Sequence, residues 1–251
     1  MKEVLLVKLG GSVITDKAGG GGIDNAALAD IGKVFAAHND RISVILVHGA
    51  GSYGHPEARS HHLDKGLDSN NKAGIFITHR AVRTLNDAVV NALRAQGMEA
   101  VGIHPLSACI ADNGNLQSFD SEPVELLARN GIVPVLHGDV VMDRSRGACI
   151  VSGDQLVRCL AESLNVDRIG LATDVAGVLD GGAVVPHIDP VSASSLVIGE
   201  SGTTDVTGGM RGKINELLTL AESGASSSIF HISRLGDFLD GRDHGGTVVT
   251  R

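Results

Sequence analysis

The chain has 251 residues, enough to bury a sizeable core, and 43% of them are hydrophobic. Its 21 Lys and Arg are outnumbered by 29 Asp and Glu, and the formal net charge of -8 argues against a general binder of nucleic acids or of acidic membranes. Aromatic residues make up only 2% of the chain, which argues against a stacking platform for single-stranded nucleic acids.

Short apolar runs alternate with longer helical patterns from the start of the chain. An apolar run at 3–9 precedes a helical pattern from Ala26 to Ala37, and a second run at 42–47 precedes a longer one from about Gly74 to Arg94. A third apolar run covers 99–103. This order predicts βαβ units.

The second half repeats the order and ends on a run that predicts an edge strand. Its strand-like runs lie at 131–141, 168–173, 227–232 and 246–250, and its helical patterns run from about Asp154 to Leu164 and from Met210 to Glu222. Buried strands of this kind form a mostly parallel sheet with helices on both faces. We therefore expect an α/β protein, a three-layer α/β/α sandwich, in a single domain over 1–251.

The cysteines and the apolar runs indicate the compartment. Cys109, Cys149 and Cys159 have neither metal-ligand nor redox-motif spacing, so we expect thiols in a reducing environment. The opening apolar run is too short for a signal peptide, and no later run reaches transmembrane length. We expect a cytoplasmic protein with no membrane partner.

The first glycine turn, KLGGS, follows the first apolar run directly and contains Lys8, Gly10, Gly11 and Ser12. Glycines at a strand end let backbone N–H groups approach phosphate oxygens, and the lysine supplies a cation. The alternative is a tight strand-to-helix turn with a solvated lysine. A Walker P-loop is excluded because GxxxxGK[ST] occurs nowhere.

The glycine-rich stretch at 17–22 is either a flap over a ligand or a surface loop.

The second glycine turn, VHGAGSYGH, contains Gly49, Gly51 and Gly54 in the GxGxxG spacing of dinucleotide sites. That fingerprint normally follows the first strand of its unit, whereas an earlier strand here already ends in a glycine turn. A phosphate-transfer site is therefore favoured over a dinucleotide site. His55 closes the turn, where it can donate a hydrogen bond to an acceptor's phosphate, although a lone histidine is more often a surface or core residue.

The third glycine cluster, DVTGGMRGK, places Gly208, Gly209, Gly212 and Lys213 at the start of an amphipathic helix. A lysine there opposes the helix dipole, so a bound phosphate would neutralise an otherwise unfavourable charge. The alternative is that the lysine points into water.

Two aspartates complete the candidate site. Asp154 stands where a helix is expected to begin and Asp174 directly after a strand, so each can be an ordinary cap or turn residue. Asp154 can instead hold two lysines in position, because paired cations around a small phosphate site need a carboxylate to limit their repulsion.

Six blocks in this order resemble the amino-acid kinase superfamily and, within it, the isopentenyl phosphate kinases. The blocks are KLGGSVITDK, VHGAGSYGH, VLHGDVV, VSGD, TDVAGVL and DVTGGMRGK. The combination of ITDK with GSYGH distinguishes this branch from acetylglutamate kinase, aspartokinase and uridylate kinase. Gln155 and Ala176 stand where the branch more often has an acid, and these two blocks are more similar to acetylglutamate kinase.

The resemblance implies transfer of the γ-phosphoryl group of ATP to isopentenyl phosphate, giving isopentenyl diphosphate in a variant mevalonate route. It implies the amino-acid kinase fold, with an acceptor-binding lobe at about 1–145 and an ATP-binding lobe at about 146–251, and a homodimer. Mg²⁺ would bridge the ATP phosphates. No catalytic base is required, because a phosphate is already a competent nucleophile.

The resemblance also assigns roles to residues. The implied acceptor-binding residues are Ala50, Gly51, Gly54, His55 and Gly153. The implied ATP-binding residues are Lys8, Gly10, Gly11, Ser12, Gly51, Asp174, Gly209 and Lys213. The implied catalytic set is Lys8, Lys17, His55, Asp154 and Lys213, with Lys17 reaching the transferring phosphate.

The acceptor's hydrocarbon tail requires an apolar pocket. The helix from about Gly74 is the expected wall, with Ile75, Phe76 and Val82 as candidates, although the same stripe can be plain core. Three other functions stay open: a fosfomycin kinase with a small polar pocket, a non-catalytic nucleotide-binding storage or regulatory protein, and an NAD-dependent oxidoreductase.

Overall fold

The computed structural model describes residues 2–16, 21–194, 196 and 209–251. Its strands are β1 (Glu3–Leu9), β2 (Ile42–His48), β3 (Ala100–Gly102), β4 (Cys109–Asp112), β5 (Asn115–Phe119), β6 (Val133–His137), β7 (Asp139–Asp143), β8 (Gly147–Val151), β9 (Arg168–Thr173), β10 (Leu179–Asp180), β11 (Ala183–Val184), β12 (His187–Ile188), β13 (Ser227–His231) and β14 (Thr247–Val249). Its helices are α1 (Asn25–Ala36), α2 (Gly51–Ser60), α3 (Ala73–Ala95), α4 (Pro105–Ala108), α5 (Glu122–Arg129), α6 (Gly153–Ser163), α7 (Pro190–Ala193), α8 (Gly209–Glu222) and α9 (Leu235–Leu239).

The central sheet has eight strands in the order β12-β14-β13-β9-β1-β2-β6-β3. The pairs from β13 to β3 are parallel, whereas β14 runs antiparallel to β13. The prediction of an edge strand at 246–250 is wrong, because β12 pairs with the outer side of β14. The two residues of β12 are too few to produce a periodic apolar signal.

Helices cover both faces of this sheet, which confirms the three-layer arrangement. One apolar core joins α1, α3 and α9 to the sheet, with Phe35, Leu85 and Phe238 among its members. The other joins α5, α6 and α8 to the opposite face, with Leu156 and Leu217 among its members. The predicted helices begin and end within one residue of their observed bounds, because their apolar residues recur at the 3.6-residue period that these two cores require.

A separate four-stranded sheet, in the order β5-β4-β7-β8, was not anticipated. The apolar run at 131–141 is predicted as one strand, but it breaks at Gly138 into β6 of the central sheet and β7 of the small one. The small sheet spans residues 109–151, so it crosses the expected lobe boundary near 145. The division into an acceptor lobe and an ATP lobe stays a prediction.

The cysteines are free thiols, with Cys109 and Cys149 buried and Cys159 half-buried. Over the described ranges, no helix is both long and apolar enough to span a bilayer.

Strand alternation decides which residues face the site. Leu5, Val7 and Leu9 of β1 enter the core beneath α1 and α3, whereas Leu6 enters the core beneath α6 and α8. Side chains two residues apart share a face, so Lys8 is directed toward the layer that contains α6 and α8. Lys8 is itself buried.

Candidate active site

A cavity of about 640 Å³ opens where four neighbouring strands of the central sheet end. The register places Leu9 opposite His48 and Ala172, and His48 opposite His137, so the carboxyl ends of β9, β1, β2 and β6 are level. Ligands of open α/β sheets bind at this edge, where helices on the two faces diverge.

Most of the residues that the sequence indicates are brought together around this cavity. The predicted residues that line it are Lys8, Gly10, Gly11, Ser12, Ala50, Gly51, Gly54, His55, Val82, Gly153, Asp154, Asp174, Gly209 and Lys213. Lys17 and Gly208 lie outside the described residues, as does the loop from 17 to 20.

Asp154 binds two lysines from different elements, which is one of the two roles that the sequence leaves open for it. Its Oδ1 lies 2.9 Å from Nζ of Lys8 on β1, and Nζ of Lys213 on α8 lies 3.3 Å from Oδ1 and 3.4 Å from Oδ2. All three side chains are about nine-tenths buried. Three elements from distant parts of the chain therefore meet at one carboxylate.

The electrostatics of this triad follow from burial and mutual attraction. Burial lowers the pKa of the Lys8 ammonium to about 8, although Asp154 opposes the shift. Burial alone would raise the pKa of Asp154, but the charges of Lys213 and Lys8 hold it below its ordinary value. At pH 7 the triad therefore carries two positive charges and one negative charge, and its net positive charge suits an anionic ligand.

Glycines are required where the first two turns touch. A Cβ on Gly11 would lie 2.3 Å from the backbone N of Gly51, and one on Gly49 would lie 2.8 Å from the backbone N of Gly11. Gly51 also has φ +53°, a conformation that favours glycine. The two turns that the sequence identified separately therefore form one continuous backbone surface.

Replacing Gly11 with Ala should disrupt this surface. We expect kcat/KM to fall by about 100-fold or more for both substrates, because backbone misplacement of this size disturbs the alignment of reacting groups. Steady-state kinetics and a thermal melt measure the effect. Gly22→Ala is the matched control, since an added Cβ there meets no atom within 4 Å. Normal kinetics in Gly11→Ala would show that this contact does not organise the site.

The sequence predicts only a turn at the second glycine cluster, whereas a helix, α2, begins within this cluster at Gly51. The first N–H groups of a helix have no partner inside the helix, and they favour anions. A Cβ on Gly54 would lie 2.5 Å from Cγ1 of Val82, so the absence of a side chain lets α2 approach α3 closely. His55 follows on the same helix and lines the cavity.

The start of α6 closes the site on the side of Lys8. Ser152 caps this helix by accepting a hydrogen bond from the N–H of Gln155 at 3.1 Å. A Cβ on Gly153 would lie 2.8 Å from Cε of Lys8, so glycine leaves the space that the lysine side chain fills. Oε1 of Gln155 is buried and has no hydrogen-bond partner among the described residues.

The apolar wall of the cavity differs from the expected one. Val82 lines it, but Ile75 and Phe76 do not. Ile75 packs against a small cluster around Leu63, and Phe76 is 64% exposed, with Arg80 over its ring. Helical periodicity identifies a buried face but not which part of that face borders a cavity.

Sequence reasoning missed several residues of the wall. They include Thr15, Thr78, Asp139, Ile150 and Met210. Thr78 could have been predicted from the sequence, because it precedes Val82 by four residues and so lies on the same face of the helix. Thr78 is only 2% exposed, and its hydroxyl has no hydrogen-bond partner in the described part of the chain.

The donor set indicates how a magnesium ion would be held. Both carboxylate oxygens of Asp154 face lysines, and the described residues contain no group of three or more His, Cys, Asp or Glu able to hold a metal. Mg²⁺ typically keeps several waters and binds through substrate phosphates with one or two carboxylates. The site therefore fits an ion that is bound mainly by the phosphates of ATP.

Comparison with known proteins gives consistent results. Residues 3–231 match the model of the family described as "Amino acid kinase family". The chain is 40% identical to the isopentenyl phosphate kinase of Haloferax volcanii over 98% of both chains. It is 36% identical to that of Methanothermobacter thermautotrophicus, over 98% of this chain and 99% of the relative. A solved structure described as "X-ray structures of isopentenyl phosphate kinase" superposes with a TM-score of 0.85 at 31% identity, covering 98% of this chain and 100% of the other.

Proposed function

The chain belongs to the amino acid kinase family and, within it, to the isopentenyl phosphate kinases, and from this premise we propose that it phosphorylates isopentenyl phosphate with ATP. The products are isopentenyl diphosphate and ADP. The family relationship favours this function over a fosfomycin kinase, a non-catalytic nucleotide binder and an NAD-dependent enzyme.

The observation that carries the proposal is the buried Lys8–Asp154–Lys213 triad at the junction of the two glycine turns. Phosphoryl transfer requires in-line positioning and neutralisation of charge on the transferring group. Two lysines that share one carboxylate have fixed positions and a net positive charge before the substrate arrives.

We assign the turns that follow β1 and β9, the start of α8, and Gly51 at the start of α2 to ATP. The residues are Lys8, Gly10, Gly11, Ser12, Gly51, Asp174, Gly209 and Lys213. Mg²⁺ bound to the ATP phosphates would neutralise part of their charge. We assign Lys17 to the transferring phosphate, on the strength of the ITDK block alone.

We assign the start of α2 to the acceptor's phosphate. Ala50, Gly51 and Gly54 provide the backbone surface, Gly153 borders it from α6, and His55 donates a hydrogen bond to a phosphate oxygen. That oxygen attacks the γ-phosphorus of ATP, the bond to the β-γ bridging oxygen breaks, and ADP leaves. No side chain needs to remove a proton, since the acceptor phosphate is largely ionised near neutral pH.

The cavity wall formed by Val82, Ile150 and Thr78 fits a short hydrocarbon tail. We expect Thr78→Val to lower KM for isopentenyl phosphate about threefold, because the added methyl buries against the tail. We also expect it to raise stability by about 1 kcal/mol, since it removes an unpaired hydroxyl. Steady-state kinetics and chemical denaturation measure the two effects.

Thr84→Val is the matched control, because Thr84 is on the same helix but exposed and hydrogen-bonded to the carbonyl of Arg80. A higher KM in Thr78→Val would contradict the apolar assignment. It would show that the hydroxyl contacts a polar group of the acceptor.

The choice of acceptor is tested by measuring ADP release with Mg-ATP and isopentenyl phosphate, dimethylallyl phosphate or fosfomycin at matched concentrations. We expect a strong preference for the two prenyl phosphates. A preference for fosfomycin would keep the fold and the triad's role but change the substrate class.

We further propose, from family likeness, that the protein is a homodimer in the cytoplasm. Light scattering tests the oligomeric state, and cell fractionation tests the compartment.

A further inference from the structure

Two buried histidines stand directly beneath the acceptor end of the cavity, and the mechanism above uses neither. Each precedes a glycine at a strand end, His48–Gly49 after β2 and His137–Gly138 after β6. The two histidines are paired neighbours in the sheet, and their rings stack with centroids 5.6 Å apart. Both are fully buried, whereas both glycines line the cavity.

Hydrogen bonds define which nitrogen of His48 carries the proton. Its Nδ1 lies 2.9 Å from the carbonyl oxygen of Gly49, which can only accept, so Nδ1 must donate. Its Nε2 lies 3.1 Å from Nδ2 of Asn86, and the same amide nitrogen lies 3.1 Å from the carbonyl oxygen of Val135. The amide therefore donates to both, and Nε2 accepts. Burial lowers the pKa of His48 to about 4, so the ring is neutral at pH 7.

The same arrangement recurs at His137. Its Nδ1 lies 3.1 Å from the carbonyl oxygen of Gly138, and its Nε2 lies 2.9 Å from Nδ1 of His104. Burial lowers the pKa of His137 to about 3. The N–H of Gly138 in turn donates to the carbonyl of His48 at 3.0 Å, which links the two turns.

The orientation of one carbonyl decides the orientation of the next N–H. In a trans peptide the C=O and the following N–H point in opposite directions, and the described residues contain no cis peptide. The Gly49 carbonyl is directed to His48 beneath the turn, so the Ala50 N–H is directed to the other side, where the cavity lies. Within the described ranges this N–H donates to no protein acceptor.

We propose that His48 is a positioning residue of the acceptor site: its Nδ1–H holds the Gly49 carbonyl beneath the turn and thereby keeps the Ala50 N–H directed at the acceptor's phosphate. Glycine accepts backbone conformations of either sign, so the Gly49–Ala50 peptide can rotate unless something holds it. In the rotated form a carbonyl oxygen would face the phosphate and repel it. His137 fixes the neighbouring turn in the same way. The inference rests on the proposed assignment of this turn to the acceptor.

The test compares His48→Asn with His48→Gln. The amide nitrogen of Asn can take the place of Nδ1, whereas that of Gln takes the place of Nε2. We expect His48→Gln to raise KM for isopentenyl phosphate about tenfold or more, which corresponds to the loss of one hydrogen bond to a charged group. We expect the KM of His48→Asn for isopentenyl phosphate to stay within about threefold of that of the unaltered protein.

The KM for ATP separates positioning from general damage. It should change clearly less than the KM for isopentenyl phosphate in both variants, because Gly51 is the one assigned ATP contact on this turn and the others lie on the turns after β1 and β9 and on α8. Equal effects of the two variants on the acceptor's KM, or equal losses for ATP and acceptor, would overturn the inference.

The tautomer can be read in the unaltered protein even if a variant does not fold. Long-range ¹H–¹⁵N NMR of the imidazoles should show His48 as a neutral ring protonated at Nδ1. A ring protonated at Nε2 would overturn the inference by itself. If the unaltered protein does not phosphorylate isopentenyl phosphate, the proposed function fails, and the NMR result still reports whether His48 holds the turn.

Discussion

Replacing Asp154 with Asn should lower kcat/KM for ATP by about 10²- to 10³-fold at pH 7, a range typical of losing a preorganised electrostatic group. The carboxylate accepts from Lys8 at 2.9 Å and from Lys213 at 3.3 Å. Without its charge, two buried ammonium groups face each other, and Lys8 loses the attraction that opposes its desolvation. One lysine then releases its proton, and the site loses a positive charge where phosphate charge must be neutralised.

The pH profile provides a second readout of the same substitution. Because the pKa of Lys8 is lowered to about 8, this lysine is charged below that pH and neutral above it. In the unaltered protein, kcat/KM for ATP should therefore be high at pH 7 and fall as the pH rises through about 8. In Asp154→Asn the same alkaline fall should move to lower pH, since the carboxylate no longer favours the charged form.

Asp30→Asn is the matched control for this experiment. Asp30 forms an exposed ion pair with Lys33 at 2.8 Å, and exposed pairs of this kind contribute little to stability. The kinetics of Asp30→Asn, and the fall of its kcat/KM for ATP at alkaline pH, should match those of the unaltered protein. If kcat/KM for ATP in Asp154→Asn falls at the same alkaline pH as in the unaltered protein, this fall is not due to Lys8.

Replacing His55 with Ala should lower kcat by about 100-fold or more without unfolding the protein, as expected when a donor to the reacting phosphate is lost. His55 lines the cavity on α2, one residue beyond the Gly54 contact with Val82. Its contribution is to place the acceptor oxygen in line with the γ-phosphorus, so the loss should appear in kcat as well as in KM. Single-turnover kinetics and a thermal melt measure it.

His62→Asn is the control for the loss of a histidine near the end of the same helix. His62 is exposed, and its φ of 51° is one that Asn tolerates well. Its turnover should be unchanged. Near-normal turnover in His55→Ala would remove His55 from the mechanism and leave the backbone of the turn as the main acceptor contact.

The sequence was sufficient to predict the parts of the site that depend on local pattern. Lys8 stands near the end of the apolar run at 3–9 and beside a glycine turn, which marks it as a candidate cation, whereas the face of the sheet to which it points follows from the packing of β1. Asp154 and Lys213 each stand in the first turns of an amphipathic helix, and Lys8 stands near the end of a parallel strand, so all three can meet at the edge where the parallel strands end. The sequence analysis leaves Asp154 open as a helix cap or as a carboxylate between two lysines, and in the structure it lies between Lys8 and Lys213.

Features that depend on packing between distant segments were not predicted. The break of the 131–141 run at Gly138 and the second sheet depend on pairing of strands separated by turns, for which the apolar pattern carries no signal. The cavity wall was predicted to include Ile75 and Phe76, because helical periodicity identifies a buried face but not the elements against which that face packs. The pairing of His48 with His137 was not predicted, since it appears only in the sheet register.

A ³¹P NMR spectrum of the protein with Mg-ATP and isopentenyl phosphate tests the proposed phosphoryl transfer directly. We predict that the monophosphate resonance of the acceptor disappears and that two coupled resonances of a new diphosphate appear, with ADP formed in equal amount. An unchanged acceptor resonance, whether ATP is left intact or is hydrolysed to ADP and inorganic phosphate, would contradict the proposed transfer.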